Sequence, residues 1–399
     1  MHLLAKRLAA IKPSATAMLF GRAIALRAQG VDLISFAVGE PDFDTPRHIQ
    51  AAAKAAIDSG AFRYTAVSGI RELRDAISYD SKKRRGGIEH AADEIVVSVG
   101  AKHALFNLAL TLLDPDDEVI IPTPSYVSYP EQVRLCGAVP LFIECSEDQG
   151  FLLSPEALKG AISEKTKALV LCSPSNPTGA TYSARQLGAI AEVARAYNFW
   201  IIVDEIYSRL IYDGFEHRSL LEVAPDLRDR IAVVDGVSKT YAMTGWRIGW
   251  VLAPRAVARA CEALQSQSTT NPTTVSQHAA VAALLGPQEP TEHMRKTFES
   301  RRNRLVEGIN GIGGLSCLMP TGAFYIFVNV SGLLGKSAAG VRLSDDAAVS
   351  EWLLQKAKVA VVPGSAFGAA GYIRLSYAVS LELIDKGLKR IADAVKELS

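Results

Sequence analysis

The stretch IAVVDGVSKTYAMTGWRIGWVLA, residues 231–253, holds the organisation of the chain in miniature. Residues 231–236 form a short, almost wholly apolar run, as expected for a strand buried on both faces. The run ends on Gly236, and Lys239 follows three residues later. Gly245, Trp246 and Arg247 then lead into a second apolar run, 248–253. Too few residues separate the two for a helical crossover, so the pair is expected to run antiparallel. One lysine thus leaves the end of one strand, and one arginine precedes the start of the next.

The same alternation extends towards the N-terminus. EIVVSV (94–99), EVIIPT (118–123), VPLFIE (139–144), KALVLC (167–172) and FWIIVDE (199–205) read as strands. Between them, AKHALFNLALTLL (101–113) has helical spacing and ends at Asp114-Pro115. SYVSYPEQVRLCG (125–137) reads as a helix closed by Gly137. Ser154-Pro155-Glu156 is a cap followed by a first-turn proline, and Ser183 caps ARQLGAIAEVARAYN (184–198). Strand–helix alternation implies an α/β fold with a mostly parallel central sheet covered by helices. After about residue 290 the pattern changes. A charged helix, HMRKTFESRRNRLVEGING (293–311), leads to strands such as AFYIFVNV (323–330) and IRLSYA (373–378). The expected division is an N-terminal arm and part of a small domain over 1–45, a large domain over 46–289 and a small α/β domain over 290–399.

Bulk properties exclude several function classes. The 399 residues exceed one ordinary core. A formal net charge of +1 provides no field for nucleic acid or an acidic membrane. No apolar run approaches the roughly 20 residues a membrane helix needs. The five cysteines are odd in number, scattered and without metal-ligand spacing, which implies a reducing, cytoplasmic setting and no metal. Lys6, Arg7, Lys12, Arg22 and Arg27 all precede the first acidic residue, Asp32. That bias resembles a transit peptide; the reading adopted is a basic arm of the folded protein, with Pro13-Ser14 suiting a helix start.

The informative feature is where the polar residues fall. Gly100, Ala101 and Lys102 follow the first of these strands, Ser125 and Tyr126 the second, and Asn176 the strand 167–172. Asp204 and Tyr207 close the strand 199–205, and Lys239 follows 231–236. Each has an ordinary explanation alone: surface charge, helix cap, turn residue or packing ring. Together they reach one edge, the carboxyl ends of the strands, where open α/β sheets bind ligands. A lysine that reacts with a carbonyl must be neutral part of the time. A helix N-terminus with an arginine seats a phosphate. A carboxylate can hold a pyridinium proton, and a flat aromatic can stack on a ring. This set describes pyridoxal phosphate, an electron sink. A nucleotide-binding dehydrogenase is disfavoured because 94–106 lacks the G-x-G-x-x-G fingerprint. A DNA-binding regulator would need a basic reader domain, for which no chain is left.

The sequence resembles the class I aminotransferases of the pyridoxal-phosphate fold type I, in the bacterial-type aspartate, prephenate and aromatic branch. The resemblance lies in KPSAT (12–16), GEPDFDTP (39–46), YTAVSGIRELRDAI (64–77), VGAKHALFNL (99–108), YVSYPE (126–131), SPSNPTGA (173–180), DEIY (204–207), SKTYAMTGWRIGW (238–250), GAFY (322–325) and IRLSYA (373–378). It implies a two-domain homodimer with active sites at the subunit interface. It implies Lys239 as the lysine that condenses with the cofactor and moves the substrate's α-proton, with Asp204 on the pyridine nitrogen. Tyr207 and Asn176 are implied on the phenolic oxygen, Tyr126 on the ring face, and Arg247, Ala101, Lys102 and Ser238 at the phosphate. Tyr64 is expected to reach a phosphate in the neighbouring subunit. Arg374 is expected to fork onto the substrate α-carboxylate near Gly39 and Asn176. Lys12 is read either as a partner for a distal carboxylate or as a solvated arm lysine. The sequence departs from the family where Tyr126 stands in place of a common tryptophan, and where Gly236 stands in place of a serine. The implied reaction is ping-pong transfer of an amino group from an L-amino acid, aspartate first, to a 2-oxo acid such as 2-oxoglutarate. Aromatic amino acids or prephenate are the alternative donors, and a β-lyase of the same fold is a further reading.

Overall fold

The apolar runs bounded by glycine and proline become strands. The computed structural model describes residues 5–13, 15–338 and 340–399; Ser14 of the expected helix start lies outside them. Helix α1 (Ala15–Ala28) and strand β1 (Ile34–Ser35) are followed by α2 (Arg47–Asp58) and α3 (Arg71–Arg84). Next come β2 (Ile95–Ser98), α4 (Ala101–Leu112), β3 (Glu118–Thr123), α5 (Ser128–Leu135), β4 (Val139–Glu144) and α6 (Pro155–Ala161). The series continues with β5 (Thr166–Cys172), α7 (Ala184–Arg195), β6 (Trp200–Asp204), α8 (Leu220–Val223), β7 (Ile231–Gly236) and β8 (Gly249–Leu252).

Strands β2 to β8 form one sheet in the order β2-β8-β7-β6-β5-β3-β4. Strand β8 is antiparallel to both neighbours, β2 and β7, and the other pairings are parallel. The antiparallel pairing has a consequence. Strand β8 begins at the edge where the parallel strands end, so a residue just before it arrives beside residues just after them. Every residue of β7 and β8 is buried, whereas the edge strand β4 alternates with solvent. Helix starts follow the sequence signals. The Ser154 hydroxyl accepts from the Ala157 N–H, and Ser183 forms a capping box with Gln186. Helix α5 begins at Ser128, later than the sequence predicts; ahead of it the Ser125 N–H donates to the Phe367 carbonyl. The turn between β3 and α5 carries Tyr126.

The remaining chain contributes α9 (Arg255–Ser266), α10 (Thr274–Leu285), α11 (Glu289–Asn310), β9 (Ser316–Cys317), β10 (Tyr325–Asn329), β11 (Ser337–Ala338), β12 (Val341–Arg342) and α12 (Asp346–Trp352). It ends with β13 (Val359–Ala360), β14 (Val362–Pro363), β15 (Tyr372–Ser376) and α13 (Leu381–Val395). A second sheet, antiparallel, has the order β14-β15-β10-β9. Strand β1 pairs in parallel with β13, so the chain near residue 34 belongs with this C-terminal part. Phe298, Leu305 and Ile309 of α11 join Ile384 and Ile391 of α13 in its core. Among the described residues no helix is long and apolar enough to cross a membrane.

Candidate active site

A cleft of about 350 Å³ opens where the carboxyl edge of the large sheet faces the second sheet. Gly39, Ala101, Lys102, Tyr126, Asn176, Asp204, Tyr207, Ser238, Lys239, Arg247 and Arg374 all line it. These are the residues to which the resemblance gives roles, with two exceptions. Tyr64 lies outside the cleft and is 87% exposed. Lys12 is exposed and not among the lining residues; its backbone N–H donates to Glu131.

The positions follow from topology. Ala101 opens α4 directly after β2, Asn176 lies in the turn after β5, Asp204 ends β6 and Lys239 follows β7. Arg247 precedes the antiparallel β8 and so meets them. Its backbone is left-handed, with φ 57°. The guanidinium crosses Gly100, donating to the Thr244 and Val99 carbonyls at 2.8 and 3.3 Å. A Cβ on Gly100, whose φ is +83°, would stand 2.3 Å from Arg247 Nη2. A Cβ on Gly249 would stand 2.3 Å from the Ala101 nitrogen. Glycine at both places lets a guanidinium and a helix N-terminus converge, which makes a seat for an anion.

At the other end, Asp204 is buried. Its Oδ2 accepts from the Tyr129 hydroxyl at 2.8 Å and its Oδ1 from the Ile206 N–H at 3.2 Å. Burial pushes its carboxyl up to about 6, against those two hydrogen bonds, and nearby Asp235 and Glu205 add to the rise. The Lys239 ammonium donates to the Gly39 carbonyl at 2.5 Å. Burial lowers its pKa to about 8; Glu40 opposes the shift, and Arg247 and Arg374 assist it. The Tyr207 and Tyr325 hydroxyls are 2.9 Å apart. Burial, then Tyr325, lifts Tyr207 well above the ordinary phenol range.

Arg374 is held from several sides. Nη1 donates to Asn176 Oδ1 and Nη2 to the Ala37 carbonyl, both at 2.9 Å. The guanidinium carbon lies 4.4 Å from the Tyr325 ring centroid and 5.0 Å from that of Phe367. Its Nε is buried and has no partner among the described residues, so a donor remains for a ligand. The Lys102 ammonium stands over the Tyr126 ring, 5.5 Å from the centroid.

Sequence reasoning missed several lining residues: Tyr129, Tyr325, Glu40, Thr244 and Thr16. Tyr129 could have been found, since it follows Tyr126 by three residues just after the carboxyl end of β3; the two rings meet edge to face, 5.4 Å apart. Nothing local marked Tyr325, whose role depends on strand β10 of the other sheet.

Comparison with known proteins agrees with this geometry. The family model described as aminotransferase class I and II matches residues 31–391. An aspartate aminotransferase of Geobacillus stearothermophilus is 46% identical over 97% of this chain and 98% of its own. An aspartate/prephenate aminotransferase of Cereibacter sphaeroides is 43% identical over 98% of each. The solved structure of the Thermus thermophilus aspartate aminotransferase with maleate superposes with a TM-score of 0.92 at 42% identity, covering 99% of this chain and all of that one.

Proposed function

The chain belongs to the class I and II aminotransferases, and from that premise we propose that it transfers the amino group of L-aspartate to a 2-oxo acid such as 2-oxoglutarate, in two half-reactions, with pyridoxal phosphate as cofactor. One observation carries the reading. A single cleft holds an amine with its pKa lowered to about 8, a buried carboxylate and a glycine-cradled anion seat. The residues present fit the cofactor. Ala101, Ser238 and Arg247 would hold its phosphate, Asp204 the proton on its ring nitrogen, and Tyr207 and Asn176 its phenolic oxygen, with Tyr126 against the ring. When bound, it supplies an aldehyde that takes up the amino group and a ring that draws electron density from the substrate α-carbon.

The rest of the work falls to this chain. Arg374 binds the donor's α-carboxylate, oriented by Asn176, Ala37 and the two aromatic rings. Lys239 Nζ, with its pKa lowered to about 8 and so neutral about a tenth of the time at pH 7, removes the donor's α-proton. In the return half-reaction it delivers a proton to the α-carbon of the new amino acid. Among the described lining residues the cations are Lys102, Lys239, Arg247 and Arg374. With the other three engaged, Lys102, which the resemblance places at the phosphate but which stands over the Tyr126 ring, is assigned here to a second carboxylate on the substrate side chain. Aspartate has one, and maleate, in the Thermus structure, is a dicarboxylate. Prephenate also carries two carboxylates, and the name of the Cereibacter relative makes it the second candidate donor.

Purified protein with pyridoxal phosphate, aspartate and 2-oxoglutarate is expected to form oxaloacetate and glutamate in equal amounts. Equal rates with leucine would overturn the second-carboxylate reading. Arg374→Ala is expected to lower kcat/KM by about 10²–10⁴-fold, the equivalent of the ~3–5 kcal/mol lost when one partner of a buried charge pair is removed. Arg374→Lys is not expected to restore it, because an ammonium cannot reproduce the fork.

The lowered Lys239 pKa sets a pH dependence. Condensation needs the neutral amine, so the rate of pyridoxal phosphate uptake by cofactor-free protein should rise about tenfold per unit up to pH ~8 and then level. A rate still climbing at pH 10 would show an ordinary lysine. The reading includes a homodimer in which Tyr64, with Phe62 exposed nearby, reaches the partner's cleft. It also includes the division at 46–289 and 290–399, supported by the separate sheets.

A further inference from the structure

Behind Asp204, on the side away from the cleft, lies a cluster of ionised groups that the mechanism above does not use. The turn after β6 faces two ways. Asp204 and Tyr207 line the cleft, whereas Glu205 and Ser208 point to the reverse side. Glu205 and Arg85 are each 1% exposed. Arg85 Nε donates to Glu205 Oε2 at 2.8 Å, and Arg85 Nη2 donates to Asp235 Oδ2 at 2.8 Å. Arg84 donates to Ser208 Oγ at 2.9 Å, and to Asp235 and Asp80 at 2.8 Å each. The Ser219 hydroxyl donates to the other Glu205 oxygen at 2.6 Å, and Arg209 pairs with Asp80. Three arginines thus face three carboxylates. The cluster joins the end of β6, which carries Asp204, to the end of β7, four residues before Lys239.

We propose that this cluster is a positioning device for Asp204: it pins the 204–208 turn from behind and cancels negative charge that would otherwise act on the Asp204 carboxylate. The proposal rests on the reading of Asp204 as the partner of the cofactor's ring nitrogen. Such a partner must be ionised, and Asp204 already sits in a site that favours its neutral form.

The groups facing it are Tyr129 from α5, Cys172 from β5, Asp235 from β7, the adjoining Glu205, and Lys239 across the cleft. Asp235 stays well ionised: burial alone would raise its pKa, but Arg84 and Arg85 overcome it. His90 and His217 border the cluster. Burial, the main cause in each case, depresses both, His90 to about 4, so neither adds charge near neutrality. Removing Arg85 would leave Glu205 and Asp235 undercompensated and drive Asp204 towards protonation. Removing the Glu205 charge would do the opposite.

The test is equilibrium binding of pyridoxamine 5′-phosphate, which lacks the aldehyde needed to condense with Lys239, measured from pH 5 to 9. The wild type, Glu205→Gln, Arg85→Met, the double variant and Asp204→Asn are compared. Ionisation of the probe's phosphate is common to all five. Glu205→Gln keeps the shape and the Ser219 hydrogen bond, so it decides the question even if Arg85→Met does not fold. The acidic limb of the affinity profile should move down by about one pH unit in Glu205→Gln and up by about one in Arg85→Met. That is the scale of a unit charge about a dozen ångströms away at an effective dielectric constant near 20. The double variant should return close to wild type. A merely structural role would weaken binding equally at every pH. An unmoved limb in Glu205→Gln, while Asp204→Asn still weakens binding, would overturn the proposal. An Asp204→Asn protein that binds like wild type would instead overturn the reading of Asp204 itself.

Discussion

Replacing Lys239 with alanine is expected to lower kcat by about 10⁴-fold or more. One side chain is asked both to capture the cofactor and to move the α-proton, and a positioned base alone contributes up to about 10⁴-fold. Neither task can pass to a neighbour. Among the described lining residues the other cations are Lys102, Arg247 and Arg374; a guanidinium does not condense with an aldehyde as an amine does, and Lys102 stands over the Tyr126 ring. Lys239→Arg should therefore be as inactive as the alanine variant, although it keeps the positive charge. Stability should not suffer. The native site already disfavours the ammonium, as its pKa of about 8 shows, so removing it relieves a cost. Single-turnover mixing with aspartate measures the loss, and a thermal melt of the cofactor-free protein checks the fold. Retention of more than about a hundredth of wild-type activity would contradict the assignment.

Asp204→Ala is expected to cost about 10²–10⁴-fold in kcat, matching the ~3–5 kcal/mol lost when one member of a buried charged pair is deleted. Burial holds the carboxyl up at about 6 even with the Tyr129 and Ile206 hydrogen bonds pulling it down. A cationic ring nitrogen opposite would lower it again and complete the pairing. Its position is specified by the Tyr129 hydroxyl and the Ile206 N–H, so Asp204→Glu, with a longer arm, should not restore the rate. The effect should fall mainly on kcat, because substrate carboxylates are held elsewhere by Arg374. A large rise in KM with unchanged kcat would place Asp204 in substrate binding instead.

The large sheet was legible for a physical reason. Strands buried on both faces are written as short continuous apolar runs, and here turn residues separate them. That is why β2 to β8 could be read, including the antiparallel return of β8, which its short connection dictates. Two-residue strands such as β1, β9 and β13 carry no period, and β1 pairs with a strand more than 300 residues away. The cleft residues at the ends of β5, β6 and β7 were legible because topology sends them to one edge. Arg374 was not legible without the family resemblance: on β15 it reads as an ordinary strand-face charge, and its two hydrogen bonds reach back to Asn176 and Ala37. The cluster behind Asp204 was invisible for the same reason. Arg84 and Arg85 reach Glu205 and Asp235 across 120 to 151 positions, and Arg84-Arg85 in the sequence looks like any basic helix end. Tyr126 emerged at the cleft although α5 starts later than predicted, because it follows the carboxyl end of β3 either way.

The central claim is that one ε-amino group captures the cofactor. Borohydride reduction of the protein with bound pyridoxal phosphate, followed by peptide mass mapping, tests it directly. The account requires the phosphopyridoxyl mass on the peptide containing Lys239 and on no other. A label on another lysine, or a reduced protein unmodified at position 239, would contradict it.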